Sequence, residues 1–162
     1  MPTIRATAES IIDVPAGLVY RAGLVYRAGL VYRCLVDFRN HHGRFLPPAF
    51  SDFRVESGGV GAGTVIAFRM TLFGGVRDVR AQVAEPDPGR VVTETDLLTG
   101  IVTRFTVTPD GDRCRVRIET VWTPEANVLG WVERFIGPYL LRRVYADELR
   151  RLDAYAQQLA KR

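Results

Sequence analysis

Apolar and polar residues alternate with a period of two over most of this chain. The opening stretch TIRATAESIIDVP offers Ile4, Ala6, Ala8 and then Ile11 or Ile12 to a core, and Pro15 ends it, so a strand is predicted. From 50 to 122 six further segments alternate: DFRVES, TVIAFRMTLF, VRDVRAQVAE, RVVTETDLL, IVTRFTVT and RCRVRIETVW. They are separated by GGVGAG, GG, PDPG, TG and PDGD, and hairpin after hairpin predicts an antiparallel meander. Ile66, Phe68, Met70 and Leu72 share one face of a strand, as do Val116, Ile118, Thr120 and Trp122. Arg69, Arg115, Arg117 and Glu119 take the opposite faces, so one side of the sheet has to be covered.

The cover is predicted after residue 123, where the period changes to steps of three and four. Trp131, Phe135, Leu141, Tyr145, Leu149, Leu152, Ala156 and Leu159 mark an amphipathic helix of many turns. Arg142, Arg143, Arg150 and Arg151 lie mostly on its other side, a solvated face. Gly137-Pro138 removes a hydrogen bond and predicts a bend or break near the helix's first third. Between the first strand and the meander, CLVDFRNHHGRFLPPAF reads as the end of one helix and a second short helix or loop, closed by Pro47-Pro48.

One stretch departs from these patterns. AGLVYR stands three times without a substitution at 16–21, 22–27 and 28–33. At about 100° per residue a helix sends Leu18, Leu24 and Leu30 to three different faces, and each repeat glycine costs a helix about 1 kcal/mol relative to alanine. A strand would sort Ala, Leu and Tyr from Gly, Val and Arg, so local preference is for strand. The flanks point to helix, because Pro15 suits a first turn and CLVDF continues one. The repeat is read as duplication of a short segment, lengthening or bulging the first helix, with an exposed Leu-Val-Tyr surface that could promote a homodimer.

Strand, short helices, six-stranded meander and long closing helix resemble the START-like, or SRPBCC, helix-grip superfamily. With two repeat copies removed, IIDVPAGLVYRCLVDFRNHHGRFLPPAF looks like that family's opening strand and two helices. GWVERFIGPYLLRRVYADELRRLDAYA resembles the closing helix of its polyketide cyclase/dehydrase and lipid transport branch. The resemblance implies an α+β fold, a curved antiparallel sheet of about seven strands wrapped around the long helix, as one domain over residues 1–162. It also implies an elongated apolar cavity for a lipid, polyketide or isoprenoid type of molecule. The inward face supplies Phe68, Met70, Phe105, Trp122, Trp131, Phe135 and Tyr139 to such a cavity, with Thr95 and Thr120 as polar groups. Three functions follow: binding or transport of that ligand, a polyketide aromatase/cyclase-type enzyme, or an interaction module using the arginine-bearing face of the closing helix.

Composition narrows this only slightly. With 162 residues, 47% of them hydrophobic, the chain is sized for one domain with a real core. No signal peptide or membrane-spanning run is apparent, so a cytoplasmic protein without membrane insertion is expected. Of the net charge of +4, the arginines of two repeat copies supply half, leaving too little to argue for nucleic acid. Cys34 and Cys114 form no CxxC pattern and are expected as reduced core residues.

The residues that carry chemistry are few, and the catalytic set is left open. Adjacent His41 and His42 lack a third ligand at useful spacing, so neither a metal nor another cofactor is expected. They read as a loop pair, the alternative being one of them as a general base at a cavity mouth. On the fourth meander strand Thr93, Thr95 and Leu97 are expected inward, leaving Glu94 and Asp96 in water; the reverse register would raise their pKa values. GGVGAG lacks a GK[ST] ending and leads into a strand, so it reads as a turn and not a phosphate loop.

Overall fold

A computed structural model describes residues 2–13, 23–72 and 74–162. Strand β1 (Ile4–Ile12) is followed by helix α1 (Gly23–Val36) and a single 3-10 turn (His42–Arg44), which is all that forms of the second predicted helix. Then come β2 (Phe50–Ser57), β3 (Val65–Leu72), β4 (Gly75–Asp87), β5 (Val91–Asp96), β6 (Val102–Asp110), β7 (Arg113–Trp122) and helix α2 (Val128–Ala160). Every neighbouring pair is antiparallel, in the order β1-β7-β6-β5-β4-β3-β2. The result is the α+β helix-grip fold, a curved seven-stranded sheet around one long helix.

The sheet's buried face follows from alternation. Strand β7 buries Cys114, Val116, Ile118, Thr120 and Trp122, while β1 returns beside it with Ile4 opposite Trp122 and Ile12 opposite Cys114. Against this edge α2 packs Tyr145, Leu149, Leu152 and Ala156, all buried at steps of four, three and four. Each large apolar side chain so buried contributes about 1.5–3 kcal/mol.

Helix α2 runs unbroken through Pro138, so the predicted break does not occur. An interior proline costs about 3 kcal/mol, and the packing of the later turns outweighs it. The start of α2 is fixed separately: the Asn127 side chain accepts a hydrogen bond from the Gly130 N–H at 2.7 Å. A Cβ on Gly130 would meet the Glu125 carbonyl oxygen at 1.8 Å, so the turn that aims α2 admits no larger residue.

The repeat resolves as helix where it is described. Residues 23–33 lie in α1, and residues 16–22 are outside the described residues. In the third copy Leu30, Val31 and Tyr32 are buried while Gly29 and Arg33 are exposed, and the helix continues through buried Cys34, Leu35 and Val36. Because α1 touches β6, β7 and α2, it buries a wide arc and not one stripe, so the local strand preference loses to tertiary packing. The Tyr32 hydroxyl donates to Glu85 Oε1 at 2.7 Å. The dimer surface expected of the repeat is thus absent from the third copy, and in the earlier two it concerns side chains outside those described.

Deleting residues 16–27 leaves a single hexapeptide ahead of Cys34. The shortened chain is expected to unfold cooperatively by circular dichroism, with a midpoint close to that of the full chain. A fall of more than about 4 °C, roughly 1 kcal/mol or more for a domain of this size, would mean that the first two copies carry stability.

Candidate functional site

Between the concave face of the sheet and α2 lies a cavity of about 590 Å³. Ile66, Phe68 and Met70 of β3, Val79 and Ala81 of β4 and Phe105 of β6 form its apolar wall. Register shifts interrupt the β2–β3 and β4–β5 pairs, the kind of irregularity at which a strand bends. The lining reaches solvent at Val76, 62% exposed on β4, and at Val132 on the first turns of α2, which marks the mouth.

The inner end of the cavity is polar. His42, from the 3-10 turn, is 2% exposed and sits among aromatic rings, stacked on Phe38 at 4.5 Å and close to Phe45 and Phe105. Its Nδ1 lies 2.7 Å from the Leu35 carbonyl oxygen. That oxygen only accepts, so Nδ1 carries the proton and Nε2 presents a lone pair. Nε2 faces Glu94 Oε1 at 3.5 Å, too long for a hydrogen bond, and this oxygen is buried without a hydrogen-bond partner.

Burial sets the charge of this pair. It pushes the Glu94 carboxyl up to about 8 and the His42 imidazole down to about 4. Near neutral pH the proton therefore rests on Glu94, His42 is neutral, and the two are not an ion pair. Glu148 of α2, 2% exposed, is raised by burial first and then by Glu94 beside it. The Tyr145 and Thr120 hydroxyls meet at 2.5 Å, and Thr120 is also 2.8 Å from Thr103 Oγ1. At the mouth, Trp122 Nε1 donates to Glu133 Oε1 at 2.9 Å, and Arg77 pairs with Asp96 at 3.5 Å.

Of the residues singled out from sequence, Phe68, Met70, Phe105, Thr120 and Trp122 line the cavity. Thr95 does not: β5 turns Glu94 and Asp96 inward, reversing the expected register. A strand whose two faces carry Val, Thr, Glu and Asp gives no hydrophobic signal to choose between them. Trp131, Phe135 and Tyr139 do not line it either, being 64%, 64% and 59% exposed. The cavity receives Glu133, Gly137 and Leu141 instead. Two residues along a helix is a turn of about 200°, so the two rows face nearly opposite ways.

The two histidines diverge as expected, but to different ends. His41 Nδ1 is hydrogen-bonded with the Tyr155 hydroxyl at 2.8 Å, and His42 enters the cavity's inner end and not its mouth. In the GGVGAG loop the N–H groups of Gly59, Gly61, Ala62 and Gly63 donate to Thr64 Oγ1, Val36 O, Glu85 Oε2 and Val83 O. These donors are therefore committed within the chain. Cys34 and Cys114 are free and buried.

A pH dependence of stability follows. Folded Glu94 keeps its proton to about pH 8, whereas an unfolded carboxyl loses it near 4.5, so stability falls as pH rises through that interval. Folded His42 is neutral down to about 4 and an unfolded imidazole titrates near 6.5, so its contribution rises with pH, but only below 6.5. Between 6.5 and 8 the buried carboxyls act in this sense, each by up to about 1.4 kcal/mol per pH unit. The urea midpoint is expected to fall across that window, and less steeply in Glu94→Gln. A flat profile would contradict the buried acid.

Comparison with known proteins agrees with this architecture. The family model described as polyketide cyclase / dehydrase and lipid transport matches residues 27–157, starting at the last residue of the second hexapeptide. Pathogenesis-related protein 2 of Petroselinum crispum is 28% identical over 163 residues, spanning 87% of this chain and 96% of its own. Among solved structures, the KanY protein superposes with a TM-score of 0.79 at 26% identity, covering 97% of this chain and 99% of that one. The Zhui aromatase/cyclase from Streptomyces sp. R1128 gives 0.71 at 15% identity over 97% and 95% of the two chains, a likeness of fold alone. With the family match covering all but the ends of the chain, this protein belongs to the polyketide cyclase / dehydrase and lipid transport family.

Proposed function

We propose that this protein binds and carries a hydrophobic or amphipathic small molecule, of lipid, polyketide or isoprenoid type, in the cytoplasm. One observation carries the reading: an open cavity of about 590 Å³ whose wall is built from Ile66, Phe68, Met70, Val79 and Phe105. That size is ordinary for small-molecule sites, about 300–1,000 Å³, and burying apolar ligand surface there contributes about 25 cal/mol per Å². Phe68, Met70 and Phe105 are the ligand's apolar contacts, with Thr120 and Trp122 at its polar edges. No helix among the described residues is long and apolar enough to cross a membrane.

A second reading, an aromatase/cyclase-type enzyme, is favoured by the convergence of His42 and Glu94. A neutral imidazole with a free Nε2 is a base, and a carboxyl holding its proton near neutral pH is an acid, in one apolar space. The third, an interaction module on the arginine-bearing face of α2, would be favoured by a sealed cavity, and this one is open at Val76 and Val132.

Filling the cavity distinguishes ligand binding from a merely imperfect core. Val79→Phe adds bulk to the wall and is expected to lower the affinity for an apolar fluorescent dye by about tenfold or more without lowering the urea midpoint. Unchanged dye binding would show that the dye, and the proposed ligand, sits elsewhere.

A further inference from the structure

The cavity's charge is lopsided. Glu94 and Asp96 from β5 and Glu133 and Glu148 from α2 line it, against one guanidinium, Arg77 from β4. That guanidinium is 43% exposed and already paired with Asp96. The inner end holds no cation near neutral pH, because His42 is neutral there. Its polar atoms are left unpaired by the protein: Glu94 Oε1 is buried without a partner, and His42 Nε2 offers a lone pair across a 3.5 Å gap. Glu148 is 2% exposed and makes no hydrogen bond or ion pair among the described residues. The Tyr145 hydroxyl, the remaining titratable group facing this space, is engaged with Thr120.

An anionic head, such as a fatty acid carboxylate, brought here would meet two buried carboxyls and no counter-charge. An alcohol would satisfy one acceptor. A primary ammonium carries three donors and the opposite charge, and so answers Glu94, Glu148 and His42 Nε2 together.

We propose that the ligand is a hydrophobic amine, held with its ammonium group at the inner end against Glu94 and Glu148 and its apolar body along the wall. This rests on the ligand-binding reading and specifies its ligand. The exchange balances: the amine is already an ammonium ion in water near neutral pH and enters as such, Glu94 gives up its proton to solvent, and the carboxylate so formed pairs with the ammonium. One proton leaves for each amine bound to Glu94, and none leaves for an alcohol.

The test is calorimetric titration of the full chain with n-decylamine, n-decanol and n-decanoate near neutral pH, each in two buffers of different ionisation enthalpy. Decylamine is expected to bind about tenfold or more tighter than decanol with net proton release, and decanoate weaker than decanol. Glu94→Gln, and separately Glu148→Gln, should reduce the preference for the amine over decanol, with far-UV circular dichroism showing that the variants are folded. Decylamine binding no tighter than decanol, or without proton release, overturns the inference while leaving the ligand-binding reading intact. Decanoate binding tightest overturns it as well. If none of the three binds, the ligand-binding reading fails and the amine inference fails with it.

Discussion

A sheet wrapped around a single helix can grip it closely along only part of its length. Here the grip is the row Tyr145, Leu149, Leu152 and Ala156 of α2, buried against β1 and the inner face of the sheet. Toward its start the same helix is capped by Asn127 and tied to the sheet by the Trp122–Glu133 hydrogen bond, while Val132 and Gly137 line the cavity. Everything functional follows from that difference. Where the helix is gripped there is core, and where it stands off there is a cavity with an apolar wall and a mouth.

The polar inner end is the second consequence. Groups carried by three separate elements, His42 after α1, Glu94 on β5 and Glu148 on α2, arrive in one buried space, with aromatic rings packed around His42. Low polarity forces them to neutrality: the carboxyls keep protons that water would take, and the imidazole refuses one it would accept. Such groups weaken the fold above neutral pH, so they are a cost carried within an otherwise apolar cavity. Their value lies in what a ligand can do with them.

The fold was legible in the residues because its elements obey plain periods. Ile66-Phe68-Met70-Leu72 and Val116-Ile118-Thr120-Trp122 could face only one way, and those faces line the cavity or the core as read. The site was less legible. On β5 neither face of VVTETD is apolar enough to declare itself, and the inward turn of Glu94 is decided by pairing with β4 and β6. On α2 the aromatic row Trp131, Phe135 and Tyr139 carries the stronger apolar signal, yet it faces away from Glu133, Gly137 and Leu141. The hexapeptide shows the same lesson at a smaller scale. Its alternation favours strand, and the place that packs Leu30, Val31 and Tyr32 makes it helix.

The state of the His42–Glu94 pair tests this account most directly. Nitrogen and carbon NMR of the labelled protein can read the imidazole tautomer and the carboxyl protonation separately near neutral pH. The account predicts a neutral His42 with its proton on Nδ1 and a protonated Glu94 carboxyl. A doubly protonated imidazolium beside a carboxylate would contradict it.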